Sequence, residues 1–324
     1  MKQQEFEQRY ESQWQTLEEW LQLPSPERAA KTNSIALEFP TRYRALCHQL
    51  AIAKQRRYST HLVERLNRIA LLAHHRFYSD YGRERGRWLR FFVIDFPQAL
   101  RANALLIALS AALFILPAIA IGLGCYWHRD LIYSVLSIEQ VQHFDEMYRP
   151  GLQRIGRNRQ TDTDLLMFGY YIKNNIGVAF RTFASGMLLG VGSIFFMIYN
   201  GVMMGAVTGY ISSHGYTNTF FPFVIGHGAF ELTAIVFSGA AGLKLGLAVL
   251  APGQFSRLTA LRMAGREAMV LMYGVIAMLT IAAFLEGFWS SQANLPNSIK
   301  YSAGIALWCA VILYAVGMGR NRAA

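Results

Sequence analysis

The sequence predicts an all-α, polytopic membrane protein of about six spans, with an N-terminal cytoplasmic helical bundle and an interfacial elbow helix. Three observations predict this class. Apolar residues (AVILMFWYC) make up 53% of the 324 residues and charged residues only 16%, a balance typical of membrane proteins. Nearly all long apolar runs lie in residues 102–318. Residues 1–101 are instead polar and rich in arginine.

Residues 1–80 predict a cytoplasmic helical region. Apolar side chains recur at helical spacing over residues 3–23, which indicates an amphipathic helix. Ser25-Pro26 is typical of an N-cap followed by proline in the first turn, so a short second helix is expected there. A third apolar stripe predicts one long helix over residues 40–77. We expect these helices to pack as a small bundle, complete in itself or completed by another subunit.

Residues 81–100 predict an amphipathic interfacial helix, because arginines alternate there with large aromatic residues. Guanidinium groups suit lipid phosphates and aromatic rings suit the acyl boundary, so the expected partner is the lipid bilayer. The alternative is a soluble amphipathic helix that packs on the bundle. The residues expected at the membrane interface are Arg83, Arg87, Trp88, Arg90, Phe91 and Phe92.

Residues 101–319 predict the transmembrane domain, with residues 127–175 as an extracytoplasmic or interfacial loop. Ser137 and Gln140 predict a capping box that begins a helix in this loop, and Pro150-Gly151 ends it. The segment at 201–213 is short for a span and can be re-entrant or the continuation of a tilted neighbour. The apolar segments fall at 102–126, 176–198, 201–213, 221–249, 268–289 and 300–318.

The distribution of basic residues predicts the orientation. Six spans place both termini on one side, and the N-terminal region, the 250–267 loop and the tail carry excess arginine. The loops at 214–220 and 290–299 contain neither lysine nor arginine. The positive-inside rule therefore predicts cytoplasmic N and C termini. The same rule accounts for the net charge of +11, so we expect no nucleic-acid partner.

Glycines at four-residue spacing mark the middle spans. Such ridges let two helix backbones approach closely. They serve either packing inside one subunit or the seam of a homo-oligomer, a dimer or larger. The predicted helix-packing residues are Gly186, Gly190, Gly201, Gly205, Gly209, Gly242 and Gly246.

Polar residues at membrane depth form the second candidate feature. His227 and Glu231 are four residues apart on one helix face, and Glu286 lies near the end of the fifth span. Three interpretations stay open: a structural knot paired with Arg181 or an asparagine, the lining of a substrate or proton path, and a metal-ligand or acid/base pair. The predicted polar cluster comprises Arg181, His227, Glu231, Asn174, Asn175 and Asn200.

No other constellation indicates chemistry. HExxH zinc hydrolases use two histidines and a glutamate, whereas this helix offers one His and one Glu in reversed order. There is also no GxSxG or Walker A motif. We therefore predict a non-enzymatic protein with no catalytic residue, no resident metal and no cofactor.

The stretch from Phe221 to Gly246, FPFVIGHGAFELTAIVFSGAAGLKLG, resembles the signature of the stage II sporulation protein M (SpoIIM) family. Its core here is Gly226-His227-Gly228 followed by Glu231-Leu232 and Ala234, and the Asn174-Asn175 pair and the Asn200-Gly201 step are also similar to the family. The sporulation members are shorter and lack a 100-residue cytoplasmic head. This chain therefore resembles a long form found in non-sporulating bacteria, often encoded near a MoxR-type AAA+ ATPase.

The resemblance implies a scaffold or envelope-remodelling component of the bacterial cytoplasmic (inner) membrane, without an established chemistry. We expect a protein that oligomerises and recruits partners, among them envelope or MoxR-type ATPase-associated proteins. The alternative is a transporter or lipid-moving protein with a polar intramembrane site. An intramembrane hydrolase ranks third.

Overall fold

The computed structural model describes residues 2–22, 32–79, 83–152, 154–156 and 163–318. The chain divides into two compact units, Met1–Leu89 and Arg90–Ala324. Every regular element in the described ranges is a helix, and none of them is a β-strand. The all-α class is therefore confirmed.

The first unit contains helices α1 (Gln3–Gln22), α2 (Thr32–Gln55) and α3 (Thr60–Ser79), and most of α4 (Arg83–Arg90). Its core is rich in aromatic side chains: Phe6 and Trp14 are fully buried with Leu66 of α3. The Trp14 indole donates a hydrogen bond to Gln49 at 2.7 Å, which satisfies a polar atom inside this core. The unit is a small bundle held by burial of one apolar stripe from each of its first three helices.

The predicted single helix over 40–77 is wrong, because the chain breaks between α2 and α3. Arg57 adopts a left-handed backbone with φ of 52°, a conformation typical of the residue that follows a helix. Ser59 then accepts a hydrogen bond from the backbone of Leu62 at the start of α3. The helix predicted from Ser25 falls at 23–31, outside the described residues.

Among its described residues, the second unit contains five helices that are long and apolar enough to cross a membrane. It also contains the helices α5 (Phe96–Ala102), α7 (Ile138–Tyr148) and α8 (Asp164–Ala184), a π-helical turn at Phe91–Asp95 and 3-10 helical turns at Arg129–Ser134 and Ser185–Met187. The five long helices are α6 (Ala104–Trp127), α9 (Val191–Ser213), α10 (Thr217–Leu250), α11 (Arg257–Phe284, continued by a π-helical turn to Ser290) and α12 (Asn297–Gly317).

The predicted span at 176–198 is wrong, since it joins the end of α8 to the start of α9. A tight turn at 185–190 separates them, with Leu189 at φ of 55° and Gly190 at φ of 82°. The turn sequence is as apolar as its flanks, so hydropathy does not mark it. The short 201–213 segment is the second half of α9 and not a separate element.

Helix α8 runs alongside the apolar helices although it is amphipathic. Asn175 lines the same cavity as Glu231 of α10, and the Thr182 carbonyl lies against Gly242 further along α10. Residues later in α8 therefore contact residues later in α10, so the two helices are parallel. Helix α9 follows α8 through a tight turn and runs antiparallel to it. It serves as the sixth helix of the bundle, which explains why apolarity identifies only five.

The two ends of the bundle differ. At one end, here called the Arg101 end, the Arg101 guanidinium donates to the Met318 carbonyl, and Lys244 donates to Asn103 at 2.9 Å. The chain thus enters and leaves the bundle at the same end. The other end, the Tyr148 end, carries α7, whose predicted Ser137–Gln140 capping box is present. The ring of Tyr148 packs edge-on against Phe220 of α10 there.

Candidate functional site: a polar cavity in the membrane bundle

The middle of α10 and the end of α11 bring three ionisable side chains together. His227 and Glu231 share one face of α10, with 4.0 Å between Nε2 and Oε2. Glu286 comes from the π-helical turn that ends α11. The ligand atoms of all three lie within 4.8 Å of one another. A π-helical turn changes the direction of the side chains that follow it, and such turns are frequent at functional sites.

Hydrogen bonds from the end of α11 orient the His227 ring. Its Nδ1 lies 3.1 Å from the Ser290 hydroxyl, which leaves Nε2 facing Glu231. The Ser290 carbonyl accepts a hydrogen bond from the Lys300 ammonium at 2.8 Å, and Lys300 is only 1% exposed. The imidazole is therefore held in one orientation by a second layer of contacts.

Two buried polar atoms beside these groups lack partners. Asn175 is 3% exposed; its Oδ1 accepts a hydrogen bond from Asn174, whereas its Nδ2 faces the carboxylates of Glu231 and Glu286 without reaching normal hydrogen-bond geometry with the described residues. Glu286 Oε2 is likewise shielded from solvent without a partner in the part of the chain that the structure describes. Unsatisfied buried polar atoms are rare in folded proteins and point to a missing ligand, ion or water.

These groups border a cavity of about 310 Å³ between α8, α9 and α10, in the half of the bundle near the Tyr148 end. Asn174 lines it and is exposed, so the cavity reaches the surface of the bundle. Asn200 also lines it, with its amide bonded to the Phe196 carbonyl at 2.6 Å. The phenol of Tyr148 closes the end, and burial, with Glu286 and Glu231 nearby, raises its pKa well above the usual range.

Arg181 is the member of the predicted cluster that lies elsewhere. It is exposed, and its guanidinium donates to the Gly177 carbonyl at 3.1 Å on its own helix. Arg181 follows Asn175 by six residues, which is about 240° around a helix. Since Asn175 faces the cavity, Arg181 faces outward. The structure therefore places an asparagine and a second glutamate, not an arginine, beside His227 and Glu231.

The predicted glycine ridges all pack inside the subunit. A Cβ atom on Gly201, Gly205 or Gly209 would come within 2.1 to 2.2 Å of backbone carbonyls of α6. Between α8, the following turn and α10, Gly186 lies against Gly242 and Gly190 lies against Gly246. Of the two uses that the sequence left open, the structure shows packing within one chain.

The predicted interface residues separate into two groups. Arg87 and Trp88 are exposed, and Arg90 lies 3.6 Å from Asp95. Phe91 and Phe92 are half-buried instead and pack within the second unit: the Phe91 ring stacks on Phe96, and the Phe92 carbonyl accepts a hydrogen bond from Tyr314 at 2.6 Å. The side chain of Arg83 lies outside the described residues.

Sequence reasoning missed the place of Glu286 and Ser290 in this site. Glu286 stood out as a carboxylate in a span, but it lies 55 positions after Glu231 in the sequence. No spacing rule relates residues on two different helices. The helical face shared by His227 and Glu231 was the only part of the arrangement that a periodicity could show.

Fold and cavity together define a polytopic helical membrane protein with a polar cavity among its long helices. The family model of stage II sporulation protein M (SpoIIM) matches residues 104–291, more than half of the chain, so the chain belongs to the SpoIIM family. Residues 4–79 match a second family, a domain of unknown function (DUF8413). No curated protein and no solved structure matches the chain.

Proposed function

We propose that this protein is a non-enzymatic scaffold of the bacterial cell envelope, which self-associates in the cytoplasmic membrane and recruits partner proteins through its N-terminal unit. The description of its family refers to sporulation; we propose the broader role of envelope remodelling. The observation that carries the proposal is a set of exposed polar side chains on α8, a helix that lies among the long apolar helices and also exposes Leu165, Leu166, Tyr170 and Phe180.

Lys173, Asn174 and Arg181 of α8 are exposed. Lys173 is two residues from Asn175, which lines the cavity beside the middle of α10. A charged side chain at such a depth is costly in lipid and usually faces protein or a water-filled space. We propose that a second copy of the chain covers this face. The glycine ridges no longer support self-association, because their close contacts are internal.

The N-terminal unit is suited to recruiting partners. It has its own core, and Arg65 joins α3 to Glu11 and Glu18 of α1 at 2.8 and 3.2 Å. Leu71 on α3 is 56% exposed, which offers an apolar contact outside that core. Its match to a family separate from SpoIIM also supports a module with its own task. Envelope or MoxR-type ATPase-associated proteins are the proposed partners.

The proposed orientation places this unit and both termini in the cytoplasm. Arg101 and Lys244 lie at the Arg101 end, and Arg257, Arg262 and Arg266 follow the loop at that end. At the opposite end the connections at 214–216 and 291–296 contain no lysine or arginine, although the connection between α6 and α8 carries Arg129, Arg149 and Arg154. This asymmetry supports the orientation by the positive-inside rule.

Site-specific photo-crosslinking of the full chain in native membranes tests self-association. A photoreactive residue in place of Lys173 should give a crosslinked homodimer. The matched control is Leu313 on the outer face of α12, which is 69% exposed and apolar; a probe there should give lipid adducts only. No dimer from position 173, together with a monomer in detergent, would contradict the proposal.

The same method tests recruitment. A photoreactive residue at Leu71 should capture one or a few defined proteins, identified by mass spectrometry, whereas one at exposed Gln8 of α1 should capture fewer. Equal, non-selective capture at both positions would contradict a docking surface on α3.

A transporter or lipid-moving protein is the second candidate, favoured by the cavity that contains unpaired Asn175 and Glu286 atoms. A transporter needs a midplane site with access from one side at a time. The Glu231→Gln variant discriminates the two functions. If it assembles normally but abolishes a flux or lipid movement seen with wild-type proteoliposomes, the second candidate replaces the scaffold.

A further inference from the structure

We propose that His227, Glu231 and Glu286 form a binding site for one divalent transition-metal ion, with Zn²⁺ as the probe. The site goes beyond the scaffold role and does not depend on it. The relevant observation is that one imidazole nitrogen and two carboxylates from two helices converge within 4.8 Å at the wall of a cavity.

The distances between the three side chains are slightly longer than those between the ligands of an occupied metal site. Zinc ligands at about 2.1 Å from the metal lie roughly 3.4 Å from one another in a tetrahedral site. His227 Nε2 and Glu231 Oε2 are 4.0 Å apart, too long for a hydrogen bond, and the ligand atoms of all three residues lie within 4.8 Å of one another. Each pair has to close by at most about 1.4 Å to reach the tetrahedral spacing.

Electrostatics favours a cation over an empty site. Glu231 and Glu286 approach each other in an apolar bundle, and among the described residues no lysine or arginine lines the cavity. Lys300, the nearby buried cation, donates to the Ser290 carbonyl. Two like charges in a low dielectric repel strongly, and a divalent ion neutralises both. The imidazole favours a transition metal over Mg²⁺ or Ca²⁺, which prefer oxygen ligands only.

The unpartnered atoms give independent support. Asn175 is only 3% exposed and lines the cavity. Its Nδ2 forms no hydrogen bond of normal geometry with the described residues. Glu286 Oε2 is shielded and unpartnered as well. Glu286 Oε2 would coordinate a bound ion, and a carboxylate oxygen or a water on that ion would accept the hydrogen bond of the Asn175 amide.

The surroundings also match a metal site. Ser290 holds His227 by Nδ1, so the ring presents Nε2 to the carboxylates, which is how an outer hydrogen bond fixes a ligating histidine. Three protein ligands leave at least one coordination position free. That position faces the cavity, which has room for water or a small oxyanion.

The test is metal binding by the full chain in lipid nanodiscs. After removal of metal with a chelator, wild-type protein should bind about one Zn²⁺ per chain in a competition titration with a chromophoric chelator. Glu286→Gln should lower the affinity at least 100-fold. Glu267→Gln is the matched control, since this glutamate contacts Lys244 at the Arg101 end, away from the cavity; its affinity should equal that of wild type.

A second measurement needs no variant. Co²⁺ bound to wild-type protein should show visible absorption stronger than that of the hydrated ion, because the site has low coordination number, and Zn²⁺ should displace it. No binding by folded wild-type protein at 1 mM metal (roughly the weakest affinity that would count as a site) would overturn the proposal, and the carboxylates would then share protons. Binding that is equal in wild type and Glu286→Gln would also overturn it.

Discussion

Along α10, the segment from Ser238 to Gly246 and the segment from Gly226 to Glu231 pack in different ways. In the first, the backbone of Gly242 touches Ser193 and the Thr182 carbonyl, and the Ser238 hydroxyl bonds within the helix. In the second, His227 and Glu231 border a cavity with unpaired polar atoms. We call the segment Ser238–Gly246 the sealed half of α10 and the segment Gly226–Glu231 its cavity half. Both belong to one continuous helix.

The difference shows which part of the bundle serves stability and which serves binding. In a membrane the hydrophobic effect adds little to helix association, so close packing of small residues has to hold the helices together. The sealed half supplies that packing. The cavity half has fewer close contacts and contains polar atoms without hydrogen bonds, which lowers stability. Proteins retain such a loss of stability at functional sites. Variants in the two halves should therefore behave oppositely.

The largest effect is expected from Gly242→Val in the sealed half. A Cβ atom there would lie 2.1 Å from Ser193 Oγ and 2.9 Å from the Thr182 carbonyl oxygen, so α8 and α10 cannot keep their contact. We expect no monodisperse protein in size-exclusion chromatography. Gly177→Ala on α8 is the control, because its Cβ meets nothing within 4 Å. A normal elution profile for Gly242→Val would contradict the close packing of α8 against α10 in the sealed half.

The contact between α6 and α9 offers a second test of close packing, because glycines on its two sides differ in the space around them. A Cβ on Gly205 would come 2.2 Å from the Ala118 carbonyl oxygen, whereas one on Gly122 would come 3.2 Å from the Gly205 carbonyl oxygen. Gly205→Ala should therefore cost about 2 kcal/mol or more of unfolding free energy, as overpacking does, and Gly122→Ala less than about 1 kcal/mol. Unfolding in mixed micelles measures both, and equal losses would rule out this geometry.

The cavity half should respond in the opposite direction. Glu231→Gln removes one of two carboxylates that repel each other, so metal-free protein should gain about 1 kcal/mol of stability. The thermal midpoint in a chelator-containing buffer measures this gain, and Glu267→Gln is again the control. A lower midpoint for Glu231→Gln alone would instead assign the cluster a structural role.

The smallest effect is expected from Ser290→Ala. It removes the hydroxyl 3.1 Å from His227 Nδ1 and leaves the three proposed ligands in place. Zn²⁺ affinity should fall about tenfold, as with other outer contacts of metal sites, while the thermal midpoint stays within error. An unchanged affinity would show that this hydroxyl does not orient the ring.

The sequence predicts those features that depend on one helix at a time. Apolar length identified the long helices, and the pairs His227–Glu231 and Ser137–Gln140 followed from helical spacing. The turn at 185–190 escaped because it depends on backbone conformation in an apolar stretch. Helix α8 escaped because one of its faces is polar. Arg181 was wrongly assigned to the cluster because its position along the helix was inferred from the sequence, whereas the direction of its side chain around the helix axis was not.

The most direct test of the cavity half is chemical modification of its carboxylates in native membranes. A hydrophobic carbodiimide reacts with protonated carboxyl groups shielded from water, and mass spectrometry locates the products. In metal-free membranes we expect labelling of Glu231 or Glu286, protection of both by Zn²⁺, and no labelling of Glu267, which is 62% exposed. Absence of labelling at both cavity residues, or labelling that Zn²⁺ does not change, would contradict an accessible site whose carboxyl groups are protonated without metal and bind Zn²⁺.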